Sequence, residues 1–120
     1  MRVGREEAFD LFRKWETARS LLLCNLSVPL FAAKFEGRVV KLTSIELHVV
    51  SDDTHSEFVM TFRRDMEFHY QDVRDTPAES HLYECGIAIL FNGDSKRPAE
   101  ERDHIGFTEV KEAENNGSRG

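Results

Sequence analysis

The sequence predicts an α+β fold, in which an N-terminal amphipathic helix packs on a strongly bent antiparallel β-barrel or half-barrel of about five to six strands. Three observations predict it. Apolar residues recur with helical spacing over residues 5–19, they alternate but change phase within residues 38–50, and they form an aromatic and sulfur-containing stripe over residues 58–70. Bent strands that change face are what a small, closed or half-closed barrel requires.

The helix is predicted over residues 5–19. Gly4 serves as an N-cap, and two acidic residues follow in the first turn, where the helix dipole favours negative charge. Neither Pro nor Gly interrupts the segment. Its apolar residues share one face because they are spaced by three and four positions, which predicts that this face packs on the sheet. They are Ala8, Leu11, Phe12, Trp15 and Ala18.

Two strands are predicted next. Residues 20–28 are strongly apolar and too short for a second surface helix, so we expect a buried strand. Pro29 interrupts pairing and predicts a kink or a strand edge. Residues 30–36 form the second strand, and Glu36-Gly37 is read as a tight turn.

The following strand, residues 38–50, carries the phase change. Its apolar residues fall on even numbers up to Leu42 and on odd numbers after Thr43-Ser44. Since successive strand residues point to opposite faces, this flip predicts a bulge or a sharp bend within one long strand.

The remaining strands follow a polar hairpin loop at residues 51–57. Residues 58–70 alternate in one phase on either side of Arg64, where a bend is expected because an unpaired buried charge is costly. Residues 83–91 are apolar on both faces and predict a central strand, and residues 104–111 form a last short strand.

The aromatic and sulfur-containing stripe over residues 58–70 is interpreted as barrel core, with a ligand-lining surface as the alternative. It comprises Phe58, Met60, Phe62, Met66, Phe68 and Tyr70.

Composition and charge indicate the number of domains and the classes of partner that the chain can bind. With 120 residues, 40% hydrophobic and 32% charged, the chain suits one soluble domain over residues 1–111, followed by a disordered tail over 112–120. Its net charge of −6 and the absence of a concentrated basic stretch argue against a nucleic-acid backbone as a partner. Five basic residues could still form a patch in space: Lys34, Arg38, Lys41, Arg63 and Arg64.

Cysteine usage and the N-terminus indicate the compartment. Cys24 and Cys85 lie in apolar runs, so we expect buried, reduced thiols rather than a disulfide framework. The first residues lead into a charged helix without a signal peptide, and no apolar run approaches the roughly 20 residues that span a bilayer. We therefore expect a cytoplasmic protein that does not contact membranes.

Chemically active residues are few. Asp52, Asp53, His55 and Glu57 could ligate a metal, but their spacing differs from the calcium-binding helix–loop–helix pattern, and hairpin loops are commonly polar because they are solvated. We therefore expect neither a metal nor a cofactor, and these four residues are the only metal candidates. No nucleophile–base motif, phosphate-binding loop or dinucleotide fingerprint is present.

The order and length of the elements over residues 5–111 resemble the Sm-like arrangement. That resemblance implies a helix that caps an open barrel, and edge strands that pair between neighbouring subunits. Residues 35–46 resemble the barrel segment of PilZ domains, with Lys41, Thr43 and Glu46 at the positions of that family's ligand motif. The Arg-x-x-x-Arg arm of that family has no counterpart, so this second resemblance implies barrel shape.

The sequence leaves three functions open. The first is a non-enzymatic interaction or assembly module that forms homo-oligomers through exposed edge strands, with residues 104–111 or 84–91 at the interface. The second is a barrel that binds a small ligand or a nucleotide. The third is a small enzyme with a site inside the barrel around His69, Tyr70 or Cys85.

Overall fold

The computed structural model describes residues 1–28, 31–72, 82–91 and 103–111, with Phe31 described by its backbone only. These residues form one helix and one antiparallel sheet of eight strands, in the order β1-β6-β7-β8-β2-β3-β4-β5. Pro29 and the predicted tail, residues 112–120, lie outside the described residues. The elements are β1 (Arg2–Val3), α1 (Arg5–Ala18), β2 (Leu22–Val28), β3 (Phe31–Leu42), β4 (Glu46–Ser51), β5 (Glu57–Thr61), β6 (Glu67–Asp72), β7 (Tyr83–Phe91) and β8 (Asp103–Val110).

The sheet is strongly curved but not closed. Strands β5 and β6 lie six positions apart in the strand order, which corresponds to about 29 Å in a flat sheet with strands about 4.8 Å apart. The chain joins them through residues 62–66 alone, a link that spans at most about 22 Å when fully extended. The sheet must therefore curl so that its two ends approach each other, which agrees with the predicted half-barrel shape.

Helix α1 begins and ends close to the predicted residues. Gly4 is the N-cap, and its backbone N–H donates a 2.8 Å hydrogen bond to Oε1 of Glu7. Of the predicted apolar face, Ala8, Phe12 and Trp15 are buried, whereas Ala18 is exposed. The sequence interpretation did not include Phe9, which is also buried.

The core lies between α1 and one face of the sheet, which we call the inner face. Rings of the helix contact rings from the link between β5 and β6 and from β8: Phe9 and Phe62 have centroids 4.5 Å apart, and Phe12 meets Phe107 edge to face at 5.9 Å. Aromatic pairs of this kind add to the free energy gained by burial. The inner face also contributes the buried residues Leu22, Cys24, Val39, Leu47, Val49, Phe68, Cys85, Ile87 and Ile89.

The segment 38–50 is not one bent strand, because the turn expected at Glu36-Gly37 lies instead between β3 and β4. The phase change marks a hairpin turn between β3 and β4 rather than a bulge in one strand. Thr43 closes the turn, because its backbone N–H donates to the Glu46 carbonyl at 2.9 Å and its Oγ1 accepts from the Glu46 N–H at 2.9 Å. Ile45 lies in the turn and is 62% exposed, while Leu47 and Val49 are buried as their phase predicts. A separate irregularity in pairing occurs between Val39 and Lys41.

The number of strands exceeds the expected five to six because the stripe over residues 58–70 divides into two strands and because β1 is added. Strand β5 ends at Thr61 and β6 begins at Glu67, and the two lie at opposite sides of the sheet. Arg64 is exposed in the link between them, where a bend was predicted. The short strand β1, which pairs with β6, completes the eight.

Two further expectations are corrected. Glu36 and Gly37 lie inside β3 rather than in a turn. A Cβ on Gly37 would lie 2.7 Å from the Val50 carbonyl oxygen, so glycine is required for close backbone approach rather than for a turn. Strand β8 is not an edge strand, because it pairs with β2 on one side and with β7 on the other.

Candidate functional site

Helix α1 covers only part of the inner face. The other part, formed by β2, β3, β4, β5 and β8, lines an open pocket of about 450 Å³, which we call the apolar pocket. Within the described part of the chain, no residue of α1 lines it. Its lining residues are Cys24, Asn25, Leu26, Ala33, Phe35, Leu47, Val49, Phe58, Val59, Met60, Thr61, Arg63, Met66, Phe91, Ile105 and Phe107.

Strand register brings the lining residues into rows. Cys24 pairs with Phe35 on β3 and with Phe107 on β8. Leu26 pairs in the same way with Ala33 and Ile105. Since side chains two positions apart along a strand point to the same face, these two rows form one continuous apolar wall.

Strands β4 and β5 form the second wall. Leu47 pairs with Met60, and Val49 pairs with Phe58. Leu47 and Val49 are buried, whereas Phe58 is 44% exposed. The pocket therefore has a well-packed floor and an open rim at β5.

Two aromatic rings meet at this rim. The rings of Phe35 and Phe58 are stacked, with centroids 4.2 Å apart and an interplanar angle of 21°. Strand β4 ends at Ser51, opposite Gly37, so Phe35 lies beyond its end and meets Phe58 across it. The stacked pair gives the open side of the pocket a flat aromatic surface.

Among the described residues, one charged side chain belongs to the lining of the apolar pocket. It is Arg63, and its guanidinium binds both carboxylate oxygens of Asp65, with Nε–Oδ1 at 3.1 Å and Nη2–Oδ2 at 2.9 Å. A bidentate arrangement of this kind fixes the guanidinium and balances its charge. The pocket is thus apolar, with a neutralised ion pair at one end.

A polar depression adjoins the apolar pocket and shares Ala33, Phe35 and Phe58 with it. Its other lining residues include the acidic Glu36, Asp52 and Asp53 and the basic Lys34. Arg38 pairs with Asp52 through a 3.0 Å ion pair. We call Glu36, Asp52 and Asp53 the acidic rim, because these three acidic residues outnumber the two basic residues, Lys34 and Arg38, beside them.

The four metal candidates do not converge on one point. Asp52 is bound by Arg38, and Glu57 is bound by Nδ1 of His48 at 2.8 Å. His55 lies in the β4–β5 loop with a φ of 61°. Among the described residues, no group of three or more His, Cys, Asp or Glu side chains is placed to hold a metal ion.

The enzyme candidates separate between the two faces of the sheet. Tyr70 pairs with Ile87, whose side chain lies in the core, so Tyr70 lies on the inner face near Cys85. His69 is the adjacent residue of β6, so its side chain points to the opposite face, where Nε2 lies 3.5 Å from Oε1 of Glu67. In the described part of the chain, the imidazole of His69 is therefore not placed to activate the Cys85 thiol.

Burial, and secondly the negative charge of Glu109, raise the pKa of Cys85, while a hydrogen bond from Tyr70 opposes them. Burial alone raises the pKa of Cys24 to about 12. Both thiols are therefore protonated at neutral pH, and a protonated thiol is a weak nucleophile. The sequence expectation of two buried free cysteines agrees with the structure.

The five basic residues do not lie together in sequence or in the sheet. Lys34, Arg38 and Lys41 lie along β3, whereas Arg63 and Arg64 lie in the link between β5 and β6. Two of the five are engaged by carboxylates, through Arg38–Asp52 and Arg63–Asp65.

The sequence identified one side of the apolar pocket. Phe58, Met60 and Met66 belong to the predicted stripe, and the alternative that it lines a ligand site applies to them, whereas Phe62 and Phe68 are core. The opposite wall, from β2, β3 and β8, was missed. Its alternation is visible in the sequence, but the register that aligns Cys24, Phe35 and Phe107 is not.

Comparison of the chain with protein-family models, with curated proteins and with solved structures gives no match. In the described part of the chain, no helix has both the length and the apolar character needed to cross a membrane.

Proposed function

We propose that this protein binds a small apolar molecule in the apolar pocket. The observation that carries the proposal is that the part of the inner face beyond the helix lines about 450 Å³ of open space. Small-molecule sites are typically concave, mostly apolar and about 300–1,000 Å³ in volume. This is the second of the three functions that the sequence leaves open.

The energetics favour an apolar occupant. Phe58 is 44% exposed, and covering apolar surface contributes about 25 cal/mol per Å². The floor is already packed, since Cys24, Leu47 and Phe107 are buried without a ligand. A preformed floor lowers the entropy lost on binding.

A fluorescence titration with N-phenyl-1-naphthylamine, an uncharged dye that brightens in apolar surroundings, tests the proposal. Two adjacent alanines provide a matched pair of variants. Ala33 lines the pocket, whereas Ala32 is exposed on the other face of β3. Ala33→Phe fills the pocket with a ring, and Ala32→Phe adds the same ring outside it.

We expect the dye to bind the unsubstituted protein and Ala32→Phe equally, and Ala33→Phe about tenfold or more weakly, which corresponds to about 1.4 kcal/mol. Near-UV circular dichroism verifies that all three proteins are folded. Equal binding by both variants, or no binding by any folded protein, would contradict the proposal.

A second candidate function is self-assembly through β5, which follows from the expectation of a homo-oligomer. In the described part of the chain, β5 pairs only with β4, so its other edge offers unpaired backbone groups as a template. If two copies pair antiparallel about Val59, each Glu57 lies opposite a Thr61, so no like charges oppose each other. Such a pairing is compatible with a symmetric dimer.

Sedimentation at increasing micromolar concentrations tests this candidate. A lysine at an edge position opposes pairing, so Val59→Lys is expected to shift a dimer to monomer. Ile45→Lys is the control, because Ile45 is also exposed and apolar but lies in the β3–β4 turn. A monomer at all concentrations contradicts assembly and leaves the ligand proposal unaffected.

A further inference from the structure

The charges around the apolar pocket are arranged against a negatively charged ligand. At one end, the guanidinium of Arg63 is bound in bidentate fashion by Asp65. At the side shared with the polar depression, Glu36, Asp52 and Asp53 form the acidic rim. The chain as a whole carries a net charge of −6.

We infer that the pocket selects an uncharged apolar molecule over the same molecule with a negative charge, and that the Arg63–Asp65 pair and the acidic rim set this selectivity. The inference rests on the proposed ligand-binding function and names the class of its ligand. A carboxylate or sulfonate that enters the pocket loses hydration, and such a loss is costly without a compensating charge. Among the residues that the structure describes, Arg63 is the only cation that lines the pocket, and Asp65 already balances its charge.

The acidic rim acts at longer range. Its residues line the polar depression together with the stacked rings of Phe35 and Phe58, which the pocket and the depression share. An anionic group leaving the pocket on this side meets like charge, partly offset by Lys34 and by Arg38, which pairs with Asp52. Interactions between exposed charges are screened within about 10 Å at 0.1 M salt, so this part of the selectivity should weaken as salt increases.

Two dyes with one scaffold isolate the effect of charge. N-phenyl-1-naphthylamine is neutral, and 8-anilinonaphthalene-1-sulfonate is the same ring system with a sulfonate. We expect the neutral dye to bind at least about tenfold more tightly at low salt, given the cost of desolvating an unpaired anion. The difference should narrow at 1 M NaCl.

Asp65→Asn tests the role of the ion pair. It removes one negative charge beside Arg63, so we expect the sulfonate dye to bind about twofold to fivefold more tightly, the range for one exposed charge pair. The neutral dye should be unaffected. Asp10→Asn is the matched control, because Asp10 forms a comparable 3.0 Å ion pair with Arg13 on α1 and lines no part of the pocket.

The outcomes separate the two proposals. If neither dye binds the folded protein, the proposed function fails. If both dyes bind with equal affinity, or the sulfonate binds more tightly, and Ala33→Phe removes both signals, the pocket is a binding site but the inferred selectivity is wrong. If Asp65→Asn behaves like Asp10→Asn, the ion pair does not set the selectivity.

Discussion

Trp15 and Glu109 join the helix to the sheet, because the indole N–H of Trp15 donates a 3.0 Å hydrogen bond to Oε1 of Glu109 on β8. Trp15 is fully buried, so this carboxylate satisfies a donor that would otherwise be desolvated without a partner. Buried polar groups of this kind are costly when left unpaired. The contact therefore fixes where α1 lies on the inner face, and with it how much of that face remains open.

We expect Glu109→Ala to lower the free energy of unfolding by about 1–3 kcal/mol, the cost of leaving a buried donor unsatisfied. Glu109→Gln keeps a carbonyl oxygen as acceptor and should lose less. Urea unfolding measures both, and Trp15 is the only tryptophan, so its emission reports the environment of the same indole. Equal destabilisation by both variants would show that the hydrogen bond is not the cause.

Two glycines in the sheet should respond oppositely to alanine. A Cβ on Gly37 would lie 2.7 Å from the Val50 carbonyl oxygen, whereas the nearest atom to a Cβ on Gly106 is Cβ of Asn25 at 4.0 Å. We expect Gly37→Ala to destabilise the protein by about 1–3 kcal/mol through overpacking. Gly106→Ala should be neutral or stabilising by up to about 1 kcal/mol, because it restricts the unfolded chain.

Thermal and urea unfolding measure this pair. If Gly37→Ala is as stable as Gly106→Ala, the close approach of β3 to β4 at this position is incorrect.

Local signals in the sequence predicted the helix well. Its start at Gly4 and its buried face of Ala8, Phe12 and Trp15 depend on neighbouring residues only, so the spacing alone identifies them. The strands at β2, β7 and β8 were recognised for the same reason. The position of the turn between β3 and β4 was harder to predict, because the turn that Thr43 closes gives the same phase change as a bulge.

Strand order could not be read from the sequence. Strand β8 looked like an edge because it is short and ends near charged residues, yet it pairs with both β2 and β7. Pairing between β2 and β8 joins segments about 80 residues apart, and alternation carries no information on such partners. The apolar pocket depends on this pairing, so only its β5 side was accessible to sequence reasoning.

Thiol reactivity should respond to Glu109. Burial is the main cause of the raised pKa of Cys85, and the charge of Glu109 is the second. We therefore expect Glu109→Gln to accelerate the reaction of Cys85 with a neutral disulfide reagent at pH 8, since the thiolate is the reactive form. Burial is the only cause of the shift at Cys24, so in a Cys85→Ser background the same substitution should leave the rate for Cys24 unchanged.

Single-thiol proteins and mass spectrometry separate the two rates. A rate for Cys85 that does not change with Glu109→Gln, in a protein that remains folded, would mean that the charge of Glu109 does not control this thiol.

His48 should make the β4–β5 hairpin sensitive to pH. Its Nδ1 lies 2.8 Å from Oε2 of Glu57, and its Nε2 lies 3.0 Å from Oε1 of Glu46. The hydrogen bond with Glu57, followed by that with Glu46, raises the pKa of His48 above its ordinary value of 6.5. Because the folded pKa exceeds the unfolded one, the stabilisation is fully present below pH 6.5 and is lost as pH rises through the folded pKa.

Proton NMR titration of the imidazole and unfolding measured from pH 5.5 to pH 9 test this expectation. His48→Gln should remove the part of the decline in stability that begins near pH 6.5, because it removes the titrating group. Glu57→Gln should lower the pKa of His48 more than Glu46→Gln does, in the order of their contributions. A titration midpoint at or below 6.5 in the unsubstituted protein, or an unchanged pH profile in His48→Gln, would show that the two carboxylates do not hold the proton on this ring.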